Sequence, residues 1–228
     1  MKRKYLNIVL ILIAIFTFQW GFGQKKINQL DSNGERTGVW KKYYNNGRLR
    51  YQGQFDAGKE KGVFKFYSAL NSDHPILVKA FEPNSNKAQV KFYTEKGILK
   101  SAGEMQGKLR TGKWVYYHKE GKKVLSIEHY INAELNGNSQ TYYKSGKITE
   151  DLNYKNGKLH GNLKRYADSG VLLDDLNYVR GKLEGAAKYY NVQGKLVYWG
   201  DYENDEKIGK WEYFEKGKPI DFDEIKEE

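Results

Sequence analysis

Along most of the chain, apolar and polar positions alternate in short runs bounded by glycine. "GVWKKYY" (38–44) leads into "NNG" (45–47). "RLRYQGQFD" (48–56) follows, with Leu49, Tyr51 and Phe55 separated by polar residues, and "AGKEKG" (57–62) closes the unit. Alternation of period two predicts a strand, and an Asn-Gly pair between two such runs predicts a hairpin, because both central turn positions need positive φ. No stretch beyond the N-terminal segment carries a sustained apolar stripe of helical period. The pattern predicts an all-β chain of strand, turn, strand, turn.

The same unit recurs. Glycine or alanine marks its start at Gly38, Gly62, Ala88, Gly112, Gly137, Gly161, Gly185 and Gly209, at spacings of 24, 26, 24, 25, 24, 24 and 24 residues. Five places on lies an aromatic residue in every unit: Tyr43, Tyr67, Tyr93, Tyr117, Tyr142, Tyr166, Tyr190 and Phe214. Nine places on, a turn glycine recurs in six of the eight units; Asn71 replaces it in the second, and in the last it comes one place early, at Gly217. Phe55, Met105, Tyr130, Tyr154, Tyr178 and Tyr202 form a third mark. Eight hairpins in a line predict an elongated antiparallel ribbon of about 14–16 strands, which at ~4.8 Å per strand extends roughly 70 Å. The second unit departs from the pattern, and its "SALNSDHPILVKAFEPNSNK" (68–87) is expected to be a long irregular loop on one edge.

The first segment, "MKRKYLNIVLILIAIFTFQWGFGQKK", has three basic residues, an apolar run from Ile8 to Phe18, and small residues at Gly21 and Gly23. It has the form of an export signal cleaved between Gly23 and Gln24. The alternative is a retained membrane anchor, for which an apolar run spanning roughly 17 Å as a helix is short. The expected organisation is a leader (1–23), a lead-in (24–37), a repeat array (38–218) and an acidic tail (219–228), giving a periplasmic, envelope-bound or extracellular protein. Without the leader, 36 basic and 28 acidic residues remain, a net charge of +8 that suits an anionic partner without requiring one. The absence of cysteine excludes disulfides, thiolate metal sites and cysteine nucleophiles.

"GKWVYYHKEGK" (112–122), "NYKNGKLHG" (153–161) and "GKWEYFEKGK" (209–218) resemble MORN-type repeats, in the variant written GxWxxYyxxGxlxxxxxYxxGkxxG. The resemblance covers essentially the whole chain after the leader. It implies a β-hairpin ribbon used for protein or membrane-surface contacts, with no enzyme and no cofactor. It is also similar to bacterial proteins labelled as antitoxins of the YwqK type. That leaves an antitoxin or immunity protein, which occludes a partner toxin, as the alternative to a binding or scaffold module.

Two sets of residues are candidates for contact. Residues two and four places after each unit start share one face, because side chains alternate. This face is aromatic at Trp40, at Phe64/Phe66, at Trp114/Tyr116 and at Trp211/Tyr213, small or polar at Ser139/Thr141 and Leu163/Arg165, and aromatic again at Tyr189. A single sheet has no second layer, so Trp40, Trp114, Tyr116, Tyr189, Trp211 and Tyr213 are expected to form a solvent-accessible binding face, or else to stabilise the sheet as cross-strand pairs. Two ribbons meeting through this face would form a homodimer. The second set is Lys59, Lys108, Lys158 and Lys182, each following a turn glycine on one edge. Those lysines suit a phospholipid, an anionic glycan or an acidic protein, or else simply keep the edge soluble.

Catalysis has little to work with. His74, His118, His129 and His160 lie in different units at no metal-ligand spacing. Asp174 and Asp175 are adjacent on a predicted strand and so point to opposite faces, which is wrong for a paired general acid and base. Nucleic acid is a poor fit, since acidic residues are mixed throughout and the leader directs the chain out of the cell.

Overall fold

A computed structural model describes residues 26–221. The leader, its cleavage point and residues 222–228 of the acidic tail lie outside the described residues. Among those described there are 20 strands and no helix. Strands numbered in chain order pair antiparallel with their sequence neighbours, so the chain is one open meander.

The opening strands of the eight units are β2 (Arg36–Tyr43), β4 (Lys59–Phe66), β6 (Lys87–Tyr93), β8 (Leu109–Tyr117), β11 (Gly137–Tyr142), β14 (Gly161–Tyr166), β17 (Gly185–Tyr190) and β19 (Glu206–Glu215). The return strands are β3 (Leu49–Asp56), β5 (Leu77–Phe81), β7 (Leu99–Gln106), β9 (Val124–Ile131), β12 (Ile148–Lys155), β15 (Leu172–Val179), β18 (Leu196–Glu203) and β20 (Lys218–Ile220). Four two-residue strands complete the set: β1 (Gln29–Leu30), β10 (Glu134–Leu135), β13 (Lys158–Leu159) and β16 (Lys182–Leu183). The count exceeds the expected 14–16 chiefly because these short pieces separate from the strands they lead. The lead-in is part of the sheet, since β1 pairs with the start of β2.

The second unit corrects the sequence reading. Its irregular loop ends at Ile76, and the return strand β5 is present within 68–87, paired with both β4 and β6. Asp73, His74 and Pro75 interrupt the strand pattern, whereas "LVKAF" restores it.

The two edges use different turns. At one edge Asn156 (φ 51°) and Gly157 (φ 75°) are both left-handed, as a two-residue hairpin turn requires. At the other edge only Gly47 of "NNG" is left-handed (φ 78°). There the Gly47 amide donates to the Tyr44 carbonyl, the Tyr44 amide donates to the Arg48 carbonyl, and a bulge falls between Lys42 and Tyr43. That is a longer turn with a glycine bulge. The bulge recurs before the five-place aromatic residue at Tyr93, Tyr117, Tyr142, Tyr166 and Tyr190.

Burial is one-sided. The residue two places after each start is buried in the six interior units: Phe64, Val90, Trp114, Ser139, Leu163 and Ala187. Burying a side chain of Phe or Leu size contributes about 1.5–3 kcal/mol, so this row is the core of a protein without a second layer.

Candidate functional site

The aromatic face is closed by its own side chains. Trp114 is 1% exposed, and its indole lies directly over Gly103. Phe64 lies over Gly53 and Trp211 over Gly200 in the same way. These three glycines have ordinary φ and are present for space: a Cβ on any of them would fall 2.4–2.5 Å from the ring. A third-mark aromatic meets each ring edge-on, from the glycine's own strand for Phe64 and Trp211 and from the following return strand β9 for Trp114. Phe55 meets Phe64 at 5.1 Å and 90°, Tyr130 meets Trp114 at 6.4 Å and 75°, and Tyr202 meets Trp211 at 5.0 Å and 78°. Edge-to-face pairs of this kind add to simple burial.

A cation covers the ring in the units that begin at Gly38, Gly112 and Gly209. Arg36 sits 5.2 Å from the Trp40 centroid, Arg110 4.9 Å from Trp114 and Lys207 4.1 Å from Trp211. Each lies two places before the unit start. In the three units whose ring is replaced by Ser139, Leu163 or Ala187, that place holds Leu135, Leu159 or Leu183. In the last two of these units the space of the missing ring is filled from the previous return strand, where Leu152 and Leu176 stand at the place of Gly103 and pack with Leu163 and Ala187. Two arrangements therefore stand out along the ribbon: an aromatic ring over glycine under a cation at Trp114 and Trp211, and aliphatic on aliphatic at Leu163 and Ala187. Sequence reading noted the change from aromatic to small residues. It missed the matched changes at the glycine and at the cation, although comparing those two columns between units would have revealed them.

The expectation of an open aromatic face fails at Trp114, which no ligand can reach. Trp40, Tyr116, Tyr189, Trp211 and Tyr213 are half-buried. Tyr189, Tyr198, Trp211 and Tyr213 form one contiguous patch at the C-terminal end, with Tyr189 stacked on Tyr198 at 4.4 Å. Burial pushes the phenols of Tyr116 and Tyr189 well above their ordinary value, and those of Tyr154, Tyr178 and Tyr198 up as well. Between the aromatic blocks the face is polar, and Arg165 bridges Glu150 (3.4 Å) and Asp174 (2.9 Å).

Lys59, Lys108, Lys158 and Lys182 are all exposed at the turns of one edge. Their row is broken by Glu134 and Glu206 at the equivalent turns. Asp174 and Asp175 do lie on opposite faces: Asp174 pairs with Arg165, while Asp175 accepts the side-chain amide of Asn162 at 2.6 Å. His129 donates from Nδ1 to the Asn138 carbonyl (2.7 Å) and His118 from Nε2 to the Tyr142 carbonyl (3.2 Å).

A strip of asparagines stitches the opposite face. Asn138 and Asn162 donate to the carbonyls of Leu152 and Leu176, and Asn153 and Asn177 to those of Asn162 and Ala186.

The hairpin fold and its spacing define a class of repeat protein, and the comparison with known families agrees. The MORN repeat variant matches residues 36–57 and 135–156. The first match covers the β2–β3 hairpin, and the second runs from the end of β10 through β12. The remaining units share the same glycine and aromatic marks, consistent with a MORN-like hairpin ribbon. No curated protein matches the chain.

Proposed function

We propose that the protein is a non-enzymatic, exported binding or scaffold module that presents one rigid ribbon to a protein, a glycan or a membrane surface. The observation that carries this reading is the single registered sheet. Eight hairpins occupy nearly all the described residues, so each face offers near-identical positions at a fixed pitch, an arrangement suited to avidity. The separation of the histidines, two of them already engaged by carbonyls, supports a role without catalysis. The leader-like first segment supports export. Contact through aromatic side chains belongs to the half-open C-terminal patch of Tyr189, Trp211 and Tyr213; Trp40 on β2 and Tyr116 on β8 are half-buried contact points of their own elsewhere on the ribbon, while Trp114 serves the core. The same patch would serve a homodimer.

Fractionation of native cells with N-terminal sequencing tests export. The expected result is a chain beginning near Gln24 outside the cytoplasm. An intact Met1 on a cytoplasmic protein overturns it and favours the antitoxin alternative.

A further inference from the structure

One row of residues crosses the whole sheet on the face opposite the aromatic rings. Cross-strand partners can be followed without a break from Lys41 to Gln52, Lys65, Val78, Lys91 and Ala102. The row then runs through Val115, Ile127 and Gln140. It ends with Asp151, Lys164, Asp175, Lys188, Trp199 and Glu212. Directly opposite residues in an antiparallel pair share a face, so these side chains stand on one line.

Charge along this line is divided. In the C-terminal third, Lys164 stands between Asp151 and Asp175, and Lys188 stands beside Asp175. In the N-terminal third, Lys41, Lys65 and Lys91 are separated only by Gln52 and Val78. None of the three makes an ion pair among the described residues, and Lys65 and Lys91 are exposed. The nearby acids Asp56 and Glu104 are already engaged, with Lys61 at 2.8 Å and Lys87 at 3.6 Å.

Successive lysines are two strands apart, about 10 Å, and the outer two are roughly 19 Å apart. A single phosphate or carboxylate cannot bridge that distance, so three equally spaced free charges call for a polymer. Acidic side chains on one face of an extended peptide repeat every ~6.8 Å, and the phosphates of one nucleic-acid strand every ~3.4 Å along the axis. The peptide spacing is out of step with the lysine pitch, and a nucleic-acid strand would leave about two of every three phosphates without a lysine partner. An extended polysaccharide with one acid group per disaccharide repeats at about the length of two sugar rings, which is comparable to the lysine spacing. Gln52 offers an amide that both donates to and accepts from hydroxyls, and Val78 and Ala102 leave low apolar ground for the ring faces.

We propose that Lys41, Lys65 and Lys91, on the face opposite the aromatic core, form a docking line for a linear carboxylated polysaccharide. The inference rests on the binding reading above and names its partner class, and its failure would leave the export result untouched.

The test uses the purified full chain and fluorescently labelled hyaluronan oligosaccharides, which carry one carboxylate per disaccharide, with binding read by polarisation. Saturable binding is expected, weakening as salt rises from about 50 to about 200 mM. K41Q/K65Q/K91Q, checked for an unchanged circular dichroism spectrum, should lose about tenfold in affinity. K164Q/K188Q, on the same row but flanked by acids, should change it by less than about twofold. Absence of hyaluronan binding overturns the proposal, as does equal loss in the two variants. Tighter binding of polyphosphate or phosphatidylglycerol vesicles with the same lysine dependence also overturns it, by assigning the line to another anion.

Discussion

The indole of Trp114 lies flat on the backbone of Gly103, so close that a Cβ there would stand 2.4 Å from Cδ2 of the ring. The two residues are on neighbouring strands of different units, so the contact joins one repeat to the next. In a linear array, stability is the sum of such unit and interface contributions. Gly103→Ala should therefore destabilise the ribbon by about 1–3 kcal/mol through overpacking. Urea unfolding followed by tryptophan fluorescence measures it. Gly200→Ala should cost less, because Trp211 lies near the C-terminal end and has room to move.

Arg110 covers Trp114 and lies 5.5 Å from the Tyr130 ring as well. Arg110→Gln keeps a polar side chain but removes the charge, and should cost about 0.5–2 kcal/mol. Thermal unfolding of Arg110→Lys, which retains the cation, should fall between wild type and Arg110→Gln. An equal loss in both variants would argue for packing alone.

Asn162 donates to the Leu176 carbonyl at 3.0 Å and to Asp175 at 2.6 Å. Asn162→Ala removes both bonds and should cost about 1 kcal/mol. Amide hydrogen exchange should accelerate around β14 and β15 and stay unchanged in β2 and β3, since each hairpin touches only its neighbours.

Tyr116 and Tyr189 are held neutral by burial, their phenols raised above the ordinary value near 10. The unfolded chain ionises at that ordinary value and the folded chain only above it, so the unfolded state loses protons first as pH rises. The stabilisation is complete below about pH 10 and is withdrawn above it. Tyrosinate absorbance should show a late class, containing Tyr116 and Tyr189, that appears together with unfolding. Tyr116→Phe should reduce the late class by one residue.

The hairpins, their period and the strand pattern were legible from the spacing alone, because glycine, turn asparagine and alternation are local signals. The return strand β5 was hidden by the polar and proline-bearing residues around it. The closure of the aromatic face was not legible, because the exposure of Trp114 depends on what stands beneath it, and Gly103 lies on another strand. Turn type was read correctly at Asn156–Gly157 and not at Asn46–Gly47, where the added turn residue moves the left-handed requirement onto the glycine alone. The lysine line needed the strand pairing: Lys41, Lys65 and Lys91 occupy the same place in three units, yet their separation from Asp151 and Asp175 appears only when partners are followed across the sheet.

The loop between Tyr67 and Ile76 absorbs the irregularity of the second unit outside the strand ladder. Within a strand, an insertion of a single residue would flip every later side chain to the other face. Placed at a turn, added length leaves the parity of β5 and β6 untouched, so Lys91 still stands on the same side as Lys65. The loop behaves as an expansion joint. Added length is taken up there while the two surfaces keep their separate identities.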